Sequence, residues 1–254
     1  MARFTDKVVI VTGAASGIGE GAARRFAAEG ATLVLGDKDE AGLDKVVRSL
    51  EGTQVATRAT DISQMAECEA LAALAMERFG RIDVLVNNAG VDHLGKLDEG
   101  PLSAFTTVIE TDLFGVLQMS RAAIAALRAA HGCIINVSSV SGLGGDWNHS
   151  FYCAAKGAVS NFTRALALDE AKNGVRVNAI NPSLVYTALT AGMQEQPELV
   201  AKFEERIPMG RGATPGDISG AIAFLASEDA HFITGVNLPV DGGLTASNGQ
   251  PALS

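Results

Sequence analysis

The chain predicts a doubly wound parallel α/β sheet, and three observations carry that expectation. Short aliphatic, β-branched runs alternate with helical stretches from one end to the other, and strict alternation requires right-handed crossovers that lay helices on both faces of a parallel sheet. The first run is cut off by a glycine-rich turn, Thr12 to Gly19, where a helix begins. No Pro/Gly/Ser-rich linker or block of charge divides the 254 residues, so residues 1–254 read as one domain. The hydrophobic content of 47% supports a sizeable core, and with only 5% aromatic residues that core is aliphatic.

Lys7–Thr12 is too short for a helix and suits a strand buried on both faces. Gly13, Gly17 and Gly19 follow, with Ser16 and Ile18 between them. Lacking Cβ, these glycines allow a tight turn and let a pyrophosphate approach the first amides of a helix over about 18–29. The spacing lacks the Gly-Lys-[Ser/Thr] ending of a phosphate-cradling NTPase loop, which disfavours a nucleotide hydrolase. The second strand, 31–36, runs into Asp37, where a dinucleotide fold places the acid that holds the adenosine ribose. A 2′-phosphate about 4 Å from that acid costs roughly 1 to 4 kcal/mol, so NAD is expected over NADP. Lys38 is the base able to offset this repulsion.

Further strands are expected near 53–59, 82–86, 132–138, 174–180 and 235–240, about seven in all. The long amphipathic stretches Leu102–Ala129 and Tyr152–Lys172 offer faces to the core or to another subunit. Residues 188–211 are polar, helical in pattern and bounded by Pro208 and Gly210, which reads as a mobile cover. Thr214-Pro215-Gly216-Asp217 is a helix start, with Thr214 as N-cap and Asp217 reaching back. The tail after Gly243 has the length to reach a neighbouring subunit.

A net charge of −9 and a pI near 4.9 argue against nucleic acid and against an anionic membrane surface. No uninterrupted apolar stretch reaches about 18 residues, and the first strand follows directly on a short polar start. A cytoplasmic location is expected. Three cysteines without metal-ligand spacing imply free thiols and no metal site, with Cys153 read as a small buried residue.

Tyr152 and Lys156 lie four apart in an Ala-rich segment, so on a helix they share one face. A phenol with a pKa of about 10 is a poor base near neutrality. A lysine charge about 4.5 Å away, at an effective dielectric of about 20, contributes roughly 3.7 kcal/mol in favour of phenolate. Ser139, at the end of a strand, is placed to hold a substrate oxygen. The stretch 142–151 passes near the reacting carbon, which makes Leu143, Trp147 and His149 candidate substrate contacts together with His93. The substrate expected is a secondary alcohol or ketone of modest size, cyclic or hydroxylated.

With these residues in view, the chain resembles the short-chain dehydrogenase/reductase family from Val8 to Gly243. The motifs are Thr12–Gly19, Asp61-Ile62, Asn87-Asn88-Ala89-Gly90, Ser139 with Tyr152 and Lys156, Asn181-Pro182 with Thr187, and Val240–Gly243. The resemblance implies a single-domain Rossmann-like fold in a homotetramer, with Tyr152 as general acid/base and Lys156 holding the nicotinamide ribose. It further implies that Asp61 and Ile62 contact adenine, that Asn87 to Gly90 support the cofactor, and that Pro182, Val185 and Thr187 flank the nicotinamide. Two departures stand out. Asp112 occupies a position where the family has Asn holding a water that leads to the lysine, and its charge is expected to raise the optimal pH. Ser183 replaces the usual Gly and is expected to restrict the turn. Two other readings remain beside the dehydrogenase: a 3-oxoacyl-carrier-protein reductase, and a catalytically silent nucleotide-binding module.

Overall fold

The computed structural model describes residues 2–250; the end of the expected intersubunit tail lies outside them. In chain order the elements are β1 (Val8–Thr12), α1 (Gly17–Ala28), β2 (Thr32–Asp37), α2 (Glu40–Arg48), β3 (Val55–Ala59), α3 (Met65–Phe79) and β4 (Val84–Asn87). Then come α4 (Leu102–Val108), a π-helical segment (Ile109–Phe114), α5 (Gly115–Ala130), β5 (Cys133–Val137), α6 (Ser150–Glu170) and β6 (Arg176–Pro182). Last are α7 (Ala191–Gln194), α8 (Pro197–Arg206), α9 (Pro215–Ala226) and β7 (Asn237–Val240). The seven strands form one sheet in the order 3-2-1-4-5-6-7, and every pairing is parallel. Each expected strand is present, its ends displaced by up to two residues or so. The order reverses between β1 and β4, and a crevice for ligands opens there beyond the carboxyl ends of the strands.

The uniformly apolar β1 reflects burial on both faces. Val9 and Val11 pack toward α1, α2 and α9, among Ala22, Phe26, Leu43, Val46 and Ile222. Val8 and Ile10 face the opposite layer of Leu71, Met119, Leu127 and Ala167 from α3, α5 and α6. Each such side chain, fully buried, contributes roughly 1.5 to 3 kcal/mol, and together the two layers fix the sheet that carries the site.

Two sequence expectations need correction. Leu102–Ala130 is one continuous helical run of 29 residues, long and apolar enough by length and composition to cross a membrane. Reading for an unbroken apolar stretch missed it because Glu110, Asp112, Arg121 and Arg128 interrupt it. Its Val108, Val116, Met119, Ala123 and Leu127 are buried in the core, where α5 packs on α3 and β4. Cys153 is half-buried rather than buried, while Cys68 and Cys133 lie in the interior, where burial pushes both thiols up to about 11.

The stretch 188–211, read from the sequence as a cover, contains α7 and α8, neither of which buries a residue. At its far end Ile207 is buried, and the Tyr186 hydroxyl donates to Glu204 Oε1 of α8 at 2.5 Å. Helix α9 begins as expected: the Thr214 side chain accepts from Asp217 N, the Asp217 carboxylate accepts from Thr214 N at 2.8 Å, and Pro215 takes the first position.

Candidate active site

At the head of α1, Gly13 and Gly17 have φ of +64° and +57°, the left-handed region that favours glycine. The space is equally restrictive. A Cβ on Gly19 would lie 2.0 Å from Gly13 O, and one on Gly13 would lie 2.7 Å from Ala89 Cα. Ser16 caps α1 in extended conformation without a side-chain bond to the helix, so the first-turn N–H groups face the turn. That donor set and closeness of backbone fit the diphosphate of a dinucleotide.

Asn88 clamps this turn from β4. Its side chain donates to Thr12 O and Gly13 O, each at 3.0 Å, while the Asn88 and Ala89 N–H groups both donate to Thr12 Oγ1. Asn87, expected beside the cofactor, points inward instead: it is buried and donates to Ser120 Oγ and Asn136 Oδ1. Successive strand residues face opposite sides, and β4 still governs Asn87. Ile62 likewise spends its side chain in the core against Gly115.

The Asp37 carboxylate at the end of β2 is fixed by two backbone donors, Ala15 N at 2.9 Å and Asp39 N at 3.0 Å. Lys38 turns away to pair with Asp61 at 2.8 Å. Across the turn, a Cβ on Gly17 would meet the Thr187 side chain at 3.2 Å, which places Thr187 beside the diphosphate cradle. Thr187 is held by its N–H bond to Thr190 Oγ1, and that hydroxyl donates to Val185 O. Pro182 ends β6, with Val185 buried just beyond it. Ser183 causes no strain: its backbone is outside the left-handed region, and its hydroxyl donates to Asp241 O.

Ser139 leaves β5 in extended conformation, and its Oγ accepts from Ser141 N at 3.1 Å. Tyr152 and Lys156 stand one turn apart on α6, with Lys156 Nζ 5.6 Å from the centroid of the tyrosine ring. The lysine is buried, donates to Val137 O at 3.1 Å and lies 3.0 Å from Asp112 Oδ2. The other Asp112 oxygen accepts from Val91 N at 2.7 Å. Asp112 is fully buried within the π-helical segment, a local widening that recurs at functional sites.

Lys156 therefore meets Asp112 directly. Burial works to lower the lysine pKa, but Asp112 and Tyr152 outweigh it and hold the ammonium charged. Burial also raises the Asp112 carboxyl, against the pull of Lys156 and Val91 N–H. Tyr152 departs from the expected direction. Burial is the largest influence and Asp112 adds to it, so the phenol is pushed up even though Lys156 and a hydrogen bond from Ser139 act to lower it. The lysine acts in the direction foreseen and is outmatched.

Residues to which sequence reasoning gave no part in the catalytic group hold the constellation. Asn181 Nδ2 donates to Ser139 O at 2.8 Å, and Ser138 Oγ donates to Lys156 O at 3.0 Å. Asp92, the residue two beyond Gly90, lies 3.2 Å from His149 Nε2, and this hydrogen bond raises the imidazole pKa. The His149 ring is 6.0 Å from that of Tyr152, so His149 is at the site. His93 is nearby but packs on the Phe151 ring. Leu143 is exposed at the edge, and Trp147 is 89% exposed, so the tryptophan is neither core nor a pocket wall within one chain.

Comparison with known proteins agrees with this geometry. The family model described as enoyl-(acyl carrier protein) reductase matches residues 13–245. Meso-2,3-butanediol dehydrogenase of Serratia marcescens is 49% identical over 251 residues, covering 99% of each chain. Cis-4-hydroxycyclohexanecarboxylate dehydrogenase of Sinomonas cyclohexanicum is 43% identical, covering 96% of this chain and 98% of its own. The crystal structure of levodione reductase superimposes with a TM-score of 0.93 at 34% identity, covering 96% of this chain and all of its own.

Proposed function

Because the chain belongs to the short-chain dehydrogenase/reductase family and is an oxidoreductase of secondary alcohols and ketones, we propose that it works with NAD(H) on a cyclic, diol or polyol substrate. Tyr152 is the general acid/base, Ser139 the oxygen-holding group and Lys156 the charged support. The observation that carries this reading is the grouping of Ser139, Tyr152 and Lys156 beside the diphosphate cradle. When bound, the nicotinamide supplies the hydride acceptor or donor.

The chain's own part is proton handling and orientation. Ser139 Oγ accepts from Ser141 N and turns its one hydrogen toward the Tyr152 oxygen, so a substrate oxygen seated between the two would take that hydrogen over. In alcohol oxidation the Tyr152 oxygen takes the hydroxyl proton; in ketone reduction it gives one back. Lys156, fastened to Val137 O, keeps a positive charge against the tyrosine ring. Preference for NAD is supported by the Asp37 carboxylate, rigidly aimed by two N–H groups, and by the commitment of Lys38 to Asp61. Diol or cyclic substrates are supported by the two relatives' named activities. His149, His93 and Leu143 border the substrate space, and α7 with α8 covers it. Three unpaired thiols suit a reducing cytoplasm.

Tyr152→Phe is expected to lower NAD-dependent alcohol turnover by about 10²- to 10⁴-fold while NADH binding, read by fluorescence titration, is retained. Near-normal turnover would remove the mechanism. The matching family description favours a second reading, a carrier-protein reductase. Against it, an acidic carrier would meet a chain of net charge −9; comparing NADH and NADPH turnover on an acyl-carrier substrate separates the two.

A further inference from the structure

The Asp112–Lys156 pair is built, not incidental. Asp112 is fully buried, with one oxygen bonded to Val91 N at 2.7 Å and the other left with Lys156 alone, at 3.0 Å. Room for it exists only because Gly90 has no side chain: a Cβ there would lie 2.9 Å from Asp112 Oδ2. A buried carboxylate without its cation is strongly disfavoured, so the two ions hold each other. The Lys156 charge that would favour phenolate is then faced by a compensating negative charge 3.0 Å away.

We propose that Asp112 is a charge-setting positioning residue, which by neutralising Lys156 in a direct ion pair keeps Tyr152 a protonated phenol at neutral pH and confines release of its proton to alkaline conditions. In that state Tyr152 is ready to donate, and its uptake of a proton from an alcohol waits on ionisation at higher pH. Among the described residues, the groups facing Tyr152 are Lys156 and His149 from α6 and its lead-in, Asp112 from the π-helical segment, Asp92 from the loop after β4, and Ser139 after β5. His149 and Asp92 pair with each other. Asp112 is the carboxylate in direct contact with Lys156, so the charge balance at Tyr152 turns on it. The inference rests on the acid/base role of Tyr152 proposed above.

The chain has two tyrosines, Tyr152 and Tyr186. In a Tyr186→Phe background, ultraviolet absorbance of tyrosinate reads Tyr152 alone, in the free protein and without cofactor or substrate. Asp112→Asn preserves the acceptor for Val91 N and removes the charge. It is expected to move that titration to lower pH by about one unit or more, with circular dichroism at each point confirming the folded state. The pH profile of alcohol oxidation is expected to move the same way. Coincident titrations, or a shift to higher pH, would overturn the proposal. Should the Asn variant not fold, Asp112→Ser, which also removes the charge, is read by the same criterion. An active Tyr152→Phe enzyme would sink the proposed function instead, whichever way the Asp112→Asn titration moves.

Discussion

At the scale of single residues, the proposed preference for NAD rests on Asp37. Its two oxygens are held by Ala15 N and Asp39 N, so it cannot swing aside for a 2′-phosphate, and Lys38 is engaged with Asp61. Replacing it should relieve like-charge repulsion of roughly 1 to 4 kcal/mol. Asp37→Ser is expected to shift the ratio of kcat/KM for NADP over NAD upward by about fivefold or more, each 1.4 kcal/mol being a factor of ten. An unchanged ratio would mean the acid does not face the ribose. Asp37 was legible because the end of β2 is fixed by the alternation of strand and helix. Asp92 was not, because its partner His149 is 57 positions away and only the folded loops bring them together. Asn87 misled for a similar reason: its neighbour Asn88 carries the clamp, and which of two adjacent asparagines faces the crevice depends on the phase of β4.

Elements were the most readable level. The strands announced themselves because burial on both faces demands unbroken aliphatic runs, and the start of α9 because a cap needs particular side chains at fixed offsets. Thr214 and Asp217 satisfy each other's backbone donors, so the cap should be worth about 1 kcal/mol. Thr214→Ala is thus expected to lower Tm by roughly 2 to 4 °C for a domain of this size, whereas Thr214→Ser should recover most of the loss. Equal melting of all three in calorimetry would show that tertiary packing of α9 on α1 overrides the cap. The π-helical segment left no such mark. Ile109–Phe114 has the apolar spacing of the helices that flank it, and the widening follows from what Asp112 must reach, Lys156 on α6 and Val91 after β4. Local propensity carries no record of a demand made by distant chain.

Over the whole molecule, the apolar surface exceeds what one chain's core uses. Of the long apolar run Leu102–Ala130 only 33% of the most apolar window is buried, and Leu102, Phe114, Leu168 and Phe232 remain open to solvent. The tetramer that the family resemblance implies would cover such surface, and Leu102–Ala129 and Tyr152–Lys172 are the two stretches whose sequence offered a face to the core or to another subunit. Four chains of 26.2 kDa would give a particle of about 105 kDa in light scattering. Leu168→Glu, placing a charge on the α6 face, is expected to reduce that mass to a dimer or single chain, while Met209→Glu, also exposed but outside these helices, should leave it unchanged. Each chain carries −9, so assembly gathers like charge. Raising salt from 0.01 to 0.15 M shortens the screening length from about 30 to about 8 Å, and the tetramer should accordingly be firmer at the higher salt. A wild-type particle of single-chain mass at both salts would refute the assembly, since the apolar faces would then stay in water with no chain to cover them.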